Sequence, residues 1–336
     1  MLLDTLSLAE VWRRHFELPP FSDIVCERAA VATEWLRAIV DPINGDAPNL
    51  GANDGANLLP LTDADFRDYR PSVHLAAVLF ERTAAYPLVG VCEQHIRWLG
   101  LSAPAQAAPT MRSSLFDDGG VAVLRRGAAT ALLRYPRFRF RPSHADALHL
   151  DLWVADENLL RDAGSYSYAA DMEWQQYFAG ARGHNSVQFD DREQMPRLGR
   201  FLWGDWLRTA SLSPIEDIAT SVSVGASYVD SEGVTHARRV ELRDCTVLVH
   251  DAVAGFARRA VLRWRLRPGA WRVNGHEATN GTHRIMITSS VRISRVALVG
   301  GWESRYYGAK TEVPVLEAEI ESPGTLLTQY QWARCE

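Results

Sequence analysis

The chain has 336 residues, of which 47% are hydrophobic and 23% are charged, and its formal net charge is −5 at pH 7. This length suits two domains, and the hydrophobic fraction supports a large core and excludes global disorder. The interleaved Arg and acidic residues and the net negative charge argue against a nucleic-acid-binding protein, and no apolar run is long enough to insert into a membrane.

Four helices are predicted in the N-terminal third of the chain. Ser7 and Glu10 have the spacing of a capping box, and apolar residues follow them at helical intervals. From Ser22 to Val40 apolar residues recur every three or four positions, which predicts an amphipathic helix of about five turns. Pro71 suits the first turn of a third helix, and residues 89–99 have the pattern of a fourth.

Two segments of different composition follow or interrupt these helices. Residues 48–57 are rich in Gly, Asn and Asp, so they are predicted to form a loop that is either functional or flexible. Residues 101–110 are mostly small and include two prolines, which is typical of a linker. We therefore expect a helical domain over residues 1–104 and a second domain over residues 105–336.

The apolar residues after this linker alternate, which is typical of strands. A hairpin is predicted around Gly127, between residues 121–125 and 129–135. Further strands are predicted at residues 147–154, 186–189, 221–228, 237–242, 246–251, 260–266, 283–288, 291–299 and 326–332. So many strands without intervening helices indicate a large antiparallel β-sandwich, and the predicted fold class is α+β multidomain, with the helical domain first.

Four arginines, Arg134, Arg137, Arg139 and Arg141, recur at nearly alternate positions after the hairpin. On a strand this spacing would place them along one edge, where they could face an anionic ligand. A solvated strand face explains the same pattern, so both interpretations stay open.

The densest group of polar residues lies between residues 141 and 206. Three histidines, His144, His149 and His184, and several aspartates fall there, on or beside predicted strands. Neighbouring strands can bring such side chains together, and a His/Asp/His set suits zinc or another divalent metal. Histidines on the surface or hydrogen-bonded within a core would give the same spacing.

The run from His144 to Asn185 resembles the heparinase II/III-like family of polysaccharide lyases. Three family motifs stand here in order, as Pro-Ser-His-Ala-Asp at 142–146, Asp-Ala-Gly-Ser-Tyr at 162–166 and His-Asn-Ser-Val at 184–187. Residues 48–56 also resemble the family's loop near the end of its helical toroid. The resemblance covers most of residues 5–210, and it implies that the helical domain is the C-terminal part of an α/α toroid.

Carried over residue by residue, the family's metal ligands fall on His144, Asp162 and His184, and the implied metal is structural, either zinc or another divalent ion. Two features depart from the family. Pro142 replaces a catalytic histidine, and the family's Tyr-His element of the toroid would lie upstream of Met1. The resemblance therefore implies an N-terminally truncated member, whose missing helices a homo-oligomer or a companion chain would supply.

The N-terminus lacks the basic and apolar regions of a signal peptide. The sequence as given therefore predicts a cytoplasmic protein, whereas the family resemblance implies a periplasmic one. The compartment stays open between these two.

The resemblance implies cleavage of a uronate-containing acidic polysaccharide by β-elimination. A base removes the proton on C5, an acid protonates the departing O4, and positioned donors or cations neutralise the uronate carboxylate. Of the tyrosines that could face a cleft, Tyr166, Tyr168 and Tyr177, we rank Tyr177 first and Tyr166 second, while His149 could replace the missing histidine. The candidate substrate-binding residues are Asn53, Asp54, Arg182 and Asn185.

A catalytically degenerate carbohydrate-binding protein of the same fold is a second interpretation. It would explain why Pro142 stands where the family has a histidine. Trp203 and Trp206 would then be available to stack on sugar rings.

A non-haem iron oxygenase is a third interpretation of the same histidines. It would use Asp146 as the carboxylate ligand, and Arg192 or Arg197 would bind an oxo-acid cosubstrate. The oxygenase and the lyase differ in the carboxylate that lies with His144 and His184. The oxygenase requires Asp146 there, and the lyase requires Asp162.

Overall fold

The structure, a computed structural model, describes residues 1–87 and 90–333. The chain forms two compact units, a helical unit of Met1–Pro48 and Gly55–Arg112 and a β unit of Asn49–Asp54 and Ser113–Glu336. The segment rich in Gly, Asn and Asp has neither helix nor strand, as predicted, and most of it belongs with the β unit.

In its described residues, the helical unit contains the α-helices α1 (Leu2–His15), α2 (Asp23–Ile39), α3 (Arg70–Ala76) and α4 (Val91–Trp98), and the π-helical turn Ala77–Glu81 continues α3. Leu75, Leu79 and Ile96 pack together in one buried cluster that joins α3, this turn and α4. None of the described helices combines the length and the apolar character that a membrane crossing requires.

The helices predicted at Ser22–Val40 and around Pro71 are confirmed. Ser22 is the N-cap of α2, and Pro71 lies in the first turn of α3. Helix α4 lies inside its predicted range, of which Val89 falls outside the described residues.

The capping-box prediction is wrong. Helix α1 begins at Leu2, so Ser7 and Glu10 lie in its interior rather than at its start. Glu10 accepts hydrogen bonds from Arg13 and Arg14, each 2.7 Å away and about one turn further along. These ion pairs explain the glutamate without a capping role.

The described residues of the β unit form twenty strands in antiparallel pairs. They are β1 (Ser114–Phe116), β2 (Val121–Arg126), β3 (Ala129–Arg134), β4 (Leu150–Val154), β5 (Glu157–Leu160), β6 (Val187–Phe189), β7 (Arg197–Gly199), β8 (Leu202–Trp203), β9 (Thr209–Leu212), β10 (Glu216–Ile218), β11 (Ser221–Val229), β12 (Thr235–Arg243), β13 (Thr246–Ala254), β14 (Ala260–Arg265), β15 (Arg272–Asn274), β16 (Glu277–Asn280), β17 (His283–Ser289), β18 (Ile293–Glu303), β19 (Thr311–Ile320) and β20 (Gly324–Gln331). Strands β1 to β5 form one sheet in chain order. A second sheet has the order β10-β11-β12-β13-β20-β17-β16-β15 with β9 also paired to β11, a third has the order β18-β19-β14-β6, and β7 and β8 form a ribbon.

The sheets enclose one large apolar core. Strand β2 packs against β11 and β12, and β3 packs against β12. Every second side chain along β12 and β13 points inward, and Val240, Leu242, Val247 and Val249 are fully buried. Trp264 of β14 is fully buried in the same core. These face-to-face contacts confirm the predicted antiparallel β-sandwich.

The strands are not free of intervening helices, which corrects the sequence prediction. Helix α5 (Met172–Ala179) lies between β5 and β6. Eight residues make only about two turns, which is too short for the helical period to be recognised. Strand β19 was also missed, since Pro314 in its middle is a residue that rarely occurs inside strands.

The arginine run does not line one strand, so that prediction is wrong. Strand β3 ends at Arg134, and Pro136 just beyond it lacks the N–H that a strand ladder would need. Past this point Arg137 pairs with Asp117 at 2.8 Å in an irregular segment.

His283 in β17 is expected to make the stability of the β unit depend on pH. Its side chain is buried, Arg267 Nη1 lies 2.7 Å from its Nε2, and burial together with the Arg267 charge lowers its pKa from 6.5 to about 4. The unfolded state takes up the proton at the ordinary pKa, so this contribution to stability is complete above pH 6.5 and is lost as the pH falls toward 4.

We expect the free energy of unfolding to fall by about 1 to 2 kcal/mol across that window, as measured by urea denaturation at several pH values. The His283→Gln variant should lack this part of the pH dependence. His276 is exposed, and the His276→Gln variant serves as the matched control that keeps the dependence of the unmodified chain. Identical pH profiles for both variants would contradict the assignment.

Candidate metal site and adjoining cavity

Three side chains of the β unit converge at one buried point. His144 lies in the segment after β3, Asp162 follows β5, and His184 ends the short turn before β6. One ligand atom from each lies within 4.8 Å of the others, and His184 Nδ1 is 2.8 Å from Asp162 Oδ2. The structure thus brings together the three residues that the resemblance identifies as metal ligands.

The charge state of this cluster suits a metal. Burial alone would raise the pKa of Asp162, but the charge and the hydrogen bond of His184 lower that pKa below its usual range, with help from the other histidines. Burial, and then the charge of His184, lowers the pKa of His144 to about 4. At pH 7 the carboxylate is therefore ionised and His144 is neutral, which are the forms that bind divalent metals. Burial lowers the pKa of His184, but the charge and the hydrogen bond of Asp162 raise it overall, so a metal would have to displace a proton from His184.

Buried nitrogen atoms complete the fit. Among the described residues, His144 Nδ1 and His184 Nε2 are buried without a hydrogen-bond partner, which is costly unless an ion or a ligand meets them. Two imidazoles and one carboxylate suit zinc and similar ions, whereas calcium and magnesium prefer oxygen ligands. The residues present therefore fit the metal that the resemblance implies.

His149 lies behind the cluster and is fully buried. Its Nδ1 accepts a hydrogen bond from the Asn185 N–H at 2.9 Å, and its Nε2 lies 3.6 Å from Asp162 Oδ2. A catalytic residue must reach its substrate, so this position does not support the catalytic role predicted for His149. Its Nε2 lies about as far from Asp151 Oδ2, at 3.7 Å, and has no hydrogen-bond partner among the described residues.

Asp146 stays outside the cluster, because its Oδ2 pairs with Arg134 Nε at 2.5 Å. Asp162 is the carboxylate that joins the two histidines, which is the arrangement expected for the lyase and not for the oxygenase. Arg192 pairs with Asp230 at 2.5 Å, so its predicted contact with an oxo-acid is not supported either.

Gly164 forms the turn that presents Asp162. Its N–H donates to Asp162 Oδ1 at 2.7 Å, its φ is +80°, and a Cβ there would lie 2.3 Å from the Ser304 carbonyl oxygen. Gly164→Ala is therefore expected to destabilise the β unit by about 2 to 4 kcal/mol, since positive φ strains the new residue and the clash moves the backbone.

Gly275 offers a matched control for this substitution. Its φ is +58°, but no heavy atom lies within 4 Å of a Cβ built there, so Gly275→Ala has strain without a clash. We expect it to cost about 1 kcal/mol in urea denaturation. Equal losses for the two variants would show that the Ser304 contact is unimportant.

A cavity of about 230 Å³ lies beside His144. It is lined by Ala52, Arg141, Ser143, His144, Ser165, Ser167, Tyr168, Gln175, Ala179, Arg197, Arg200 and Phe201. Guanidinium groups, hydroxyls and two aromatic rings thus surround one volume. Such groups bind the carboxylates, hydroxyls and ring faces of acidic sugars.

Three arginines make this cavity cationic. Within the described part of the chain, Arg197 Nη1 is buried without a hydrogen-bond partner, and the guanidinium groups of Arg141 and Arg200 have no ion pair. Burial lowers the pKa of Arg197, yet a guanidinium stays protonated in proteins. The cavity therefore suits an anion.

Tyr168 is the tyrosine that lines this cavity. Its backbone N–H donates to Tyr307 Oη at 2.9 Å, and its ring meets the Phe201 ring edge to face. Burial, with the charges of Asp54 and Tyr307, raises the pKa of its hydroxyl. The phenol is therefore protonated at neutral pH and can donate to a bound sugar.

The two tyrosines ranked first from the sequence lie elsewhere. Tyr177 Oη accepts hydrogen bonds from the Trp302 N–H at 2.8 Å and from Arg265 Nη1 at 2.9 Å. Tyr166 has a φ of 58°, and its ring stacks on α5. Neither is among the residues that line the cavity.

Residues 49–54 pass beside the cavity. Ala52 lines it, and the Asn53 N–H donates to Ser165 Oγ at 2.8 Å. The charge of Asp54 contributes to the raised pKa of Tyr168. The structure thus brings two predicted substrate-binding residues, Asn53 and Asp54, close to the cavity.

The other two predicted substrate-binding residues are not brought there. Arg182 holds its guanidinium 5.7 Å from the centre of the Tyr177 ring. Asn185 is fully buried, and its side-chain N–H groups donate to the carbonyl oxygens of Leu150 and Arg161. The Asn185 contacts are structural and do not support a role in substrate binding. Arg182 is exposed outside the cavity, so its role stays a prediction.

Arg200 and Phe201 are cavity residues that sequence reasoning missed. They lie in the turn between β7 and β8, where no strand pattern or family motif pointed to them. The spacing Arg197-x-x-Arg200-Phe201 beside a turn was the available signal, because a cation pair next to an aromatic residue is typical of a binding surface.

Solved structures of polysaccharide lyases share this fold. A heparinase III with methylated lysines has a TM-score of 0.70 at 15% identity over 94% of this chain and 47% of its own. The heparan sulfate lyase HepC from Pedobacter heparinus has a TM-score of 0.62 at 16% identity over 89% of this chain and 46% of its own. A chondroitinase AC lyase has a TM-score of 0.51 at 10% identity over 99% of this chain and 52% of its own. The chain spans about half the length of these proteins, and at such identities the likeness shows the fold alone.

No curated protein matches the chain in sequence. The family described as Heparinase II/III-like, C-terminal, matches residues 108–333, which is most of the β unit. The resemblance seen in the sequence is thereby confirmed, and the chain belongs to the heparinase II/III-like family.

Proposed function

We propose that this chain is part of a polysaccharide lyase that cleaves a uronate-containing acidic polysaccharide by β-elimination. The observation that carries the proposal is the cavity, in which Arg141, Arg197, Arg200 and Tyr168 surround one volume next to His144. Cations and a proton donor around one sugar are what this reaction requires.

The arginines have the first role in this mechanism. Removal of the C5 proton places negative charge on the uronate carboxylate as the enolate-like state develops. Arg197 is best suited to stabilise that charge, because its Nη1 is buried and lacks a partner among the described residues. Donors held in a partly desolvated site act more strongly than donors in water.

Tyr168 has the second role. Its phenol is protonated at neutral pH and lines the cavity, so it is our candidate for the acid that gives a proton to the departing O4. The bond between C4 and O4 then breaks, and the electron pair of the former C5–H bond forms the C4–C5 double bond. A separate base takes the C5 proton in this proposal.

His144, Asp162 and His184 would hold a zinc ion in this proposal. A bound zinc would cross-link the segments that carry these residues and so act as a structural metal. His144 both belongs to this set and lines the cavity, so the metal would fix one wall of the cavity.

A carbohydrate-binding protein without lyase activity is the second candidate. Pro142 favours it, because a proline has no proton to transfer where the family has a histidine. Tyr168 and the arginines would then bind acidic sugars without cleaving them.

One assay separates the two candidates. The purified chain is incubated with a panel of uronate-containing polysaccharides, and the ultraviolet absorbance of the unsaturated C4–C5 product is followed, with metal content measured on the same sample. Product formation supports the lyase. Saturable binding with no product on any substrate supports the binding protein, and the absence of both contradicts the proposal.

A further inference from the structure

A groove of about 840 Å³ runs along the same two segments that line the cavity. We call these segments, residues 136–143 and 201–209, the track. Arg141, Ser143 and Phe201 of the track line the cavity, whereas its residues 136–139 and 205–209 line the groove. The cavity and the groove are therefore neighbours along one surface of the β unit.

The two segments are held together at both ends. At the cavity end the Trp203 Nε1–H donates to the Ser143 carbonyl oxygen at 3.2 Å. At the far end the Thr209 N–H donates to the Pro136 carbonyl oxygen at 3.0 Å. The segments therefore run antiparallel. Six or seven residue steps separate the two bonded ends, so a fully extended track would reach about 20 to 25 Å.

Aromatic rings and cations alternate along the track. Phe140 is 86% exposed and stands between Arg139 and Arg141, while Trp206 is 38% exposed beside the groove. An aromatic side chain so far exposed is free to stack on a ligand. These rings suit the apolar faces of sugars, with the guanidinium groups next to them suited to anionic substituents.

The charge of the groove comes from one arginine in particular. Arg137 and Arg139 are neutralised by Asp117 and Asp118. Arg208 is exposed and, within the described residues, its guanidinium has no ion pair or hydrogen bond. It is therefore the cation of the groove that is available to a ligand.

Asp205 also lines the groove, and its charge opposes that of Arg208. An anionic ligand would therefore meet one favourable and one unfavourable charge there. Removing the charge of Arg208 should therefore lower the affinity for an anionic ligand, and removing the charge of Asp205 should raise it.

We propose that an acidic polysaccharide extends from the cavity along the track, so that the β unit binds several sugar residues of one chain at once. The class of ligand rests on the proposed function, but the track requires binding alone and no cleavage. Affinity should therefore rise with the length of the oligosaccharide until the track is filled.

Binding of size-fractionated oligosaccharides of heparan sulfate, chondroitin sulfate and hyaluronan is measured by isothermal titration calorimetry at one fixed salt concentration. For the polymer that binds best, Arg208→Gln and Phe140→Ala should each lower the affinity for long oligosaccharides by about three- to tenfold, with disaccharides unaffected. Asp205→Asn should raise the affinity for long oligosaccharides by about two- to threefold, because it removes a repulsive charge. Arg272→Gln, which changes an exposed arginine of β15, is the matched control without effect.

The proposal is overturned if none of these oligosaccharides binds. It is also overturned if affinity is independent of length, or if the track variants change short and long oligosaccharides alike. Length-dependent binding without product formation would refute the lyase and leave the track standing. Product formation with an affinity that is independent of oligosaccharide length would support the lyase and refute the track.

Discussion

Replacing His184 with alanine is expected to abolish metal binding and to destabilise the β unit by about 3 to 5 kcal/mol. His184 is fully buried, and its Nδ1 lies 2.8 Å from Asp162 Oδ2. Without the imidazole, the Asp162 carboxylate is left in a buried place with a weaker partner, and the proposed metal would lack one of its three ligands. Metal content by mass spectrometry of the purified protein and urea denaturation measure the two effects.

The His236–Asp251 pair provides the matched control. His236 is also fully buried in the β unit, and its Nε2 lies 2.7 Å from Asp251 Oδ1. His236→Ala therefore also removes a buried histidine from a histidine–aspartate pair. Among the described residues, His236 does not belong to a group that could hold a metal. Asp251 keeps its ion pair with Arg238, so this variant should destabilise the protein less than His184→Ala does and leave the metal content unchanged. Retention of the metal by His184→Ala, or its loss from both variants, would rule out the assigned ligands.

The sequence was sufficient for the parts of the fold in which a single period runs for many residues. Helix α2 and the hairpin of β2 and β3 lie where the periodicity of apolar residues predicted them. Helix α5 and strand β19 were missed because the first is short and the second contains Pro314. The strands of the large sheets were found more easily, since one buried face gives them a regular alternation.

The cluster of His144, Asp162 and His184 was predictable because three family motifs name the residues. Sequence spacing alone does not show that these three residues are close in space. The family motifs do imply it, because they identify all three as ligands of one metal. Asn185 belongs to the same motif, but its side chain holds backbone carbonyl oxygens inside the sheet. A motif residue can therefore be structural, and its burial is what the sequence leaves unknown.

The choice among the tyrosines depended on backbone detail that spacing does not contain. Tyr166 has a left-handed φ of 58°, which breaks the alternation of side chains that a strand would give. Two residues further on, Tyr168 lines the cavity. Tyr177 lies on the unpredicted helix α5, where its hydroxyl is bound by a backbone N–H and a guanidinium.

The Tyr168→Phe variant is expected to lower kcat for polysaccharide cleavage by about 10²- to 10⁴-fold, because it removes the proton that O4 would take. The ring, and with it the contact with Phe201, is retained. Oligosaccharide affinity should therefore change by less than about threefold, since the net contribution of one neutral hydrogen bond is small. Product formation on the polymer that the unmodified chain cleaves, together with calorimetric binding, separates kcat from affinity.

The Tyr177→Phe variant is the matched control, because it removes the same atom from the tyrosine that the sequence ranked first. The Trp302 N–H and Arg265 Nη1 lose their acceptor, so the variant should lose about 1 to 3 kcal/mol of stability. Its rate per folded molecule should stay within about threefold of the unmodified chain, since Tyr177 does not line the cavity. If Tyr177→Phe loses most of its rate while Tyr168→Phe stays active, the acid is Tyr177 and not Tyr168. That result would also move the reacting sugar out of the arginine-lined cavity and toward the surface of α5 and Arg182, whose guanidinium lies over the Tyr177 ring.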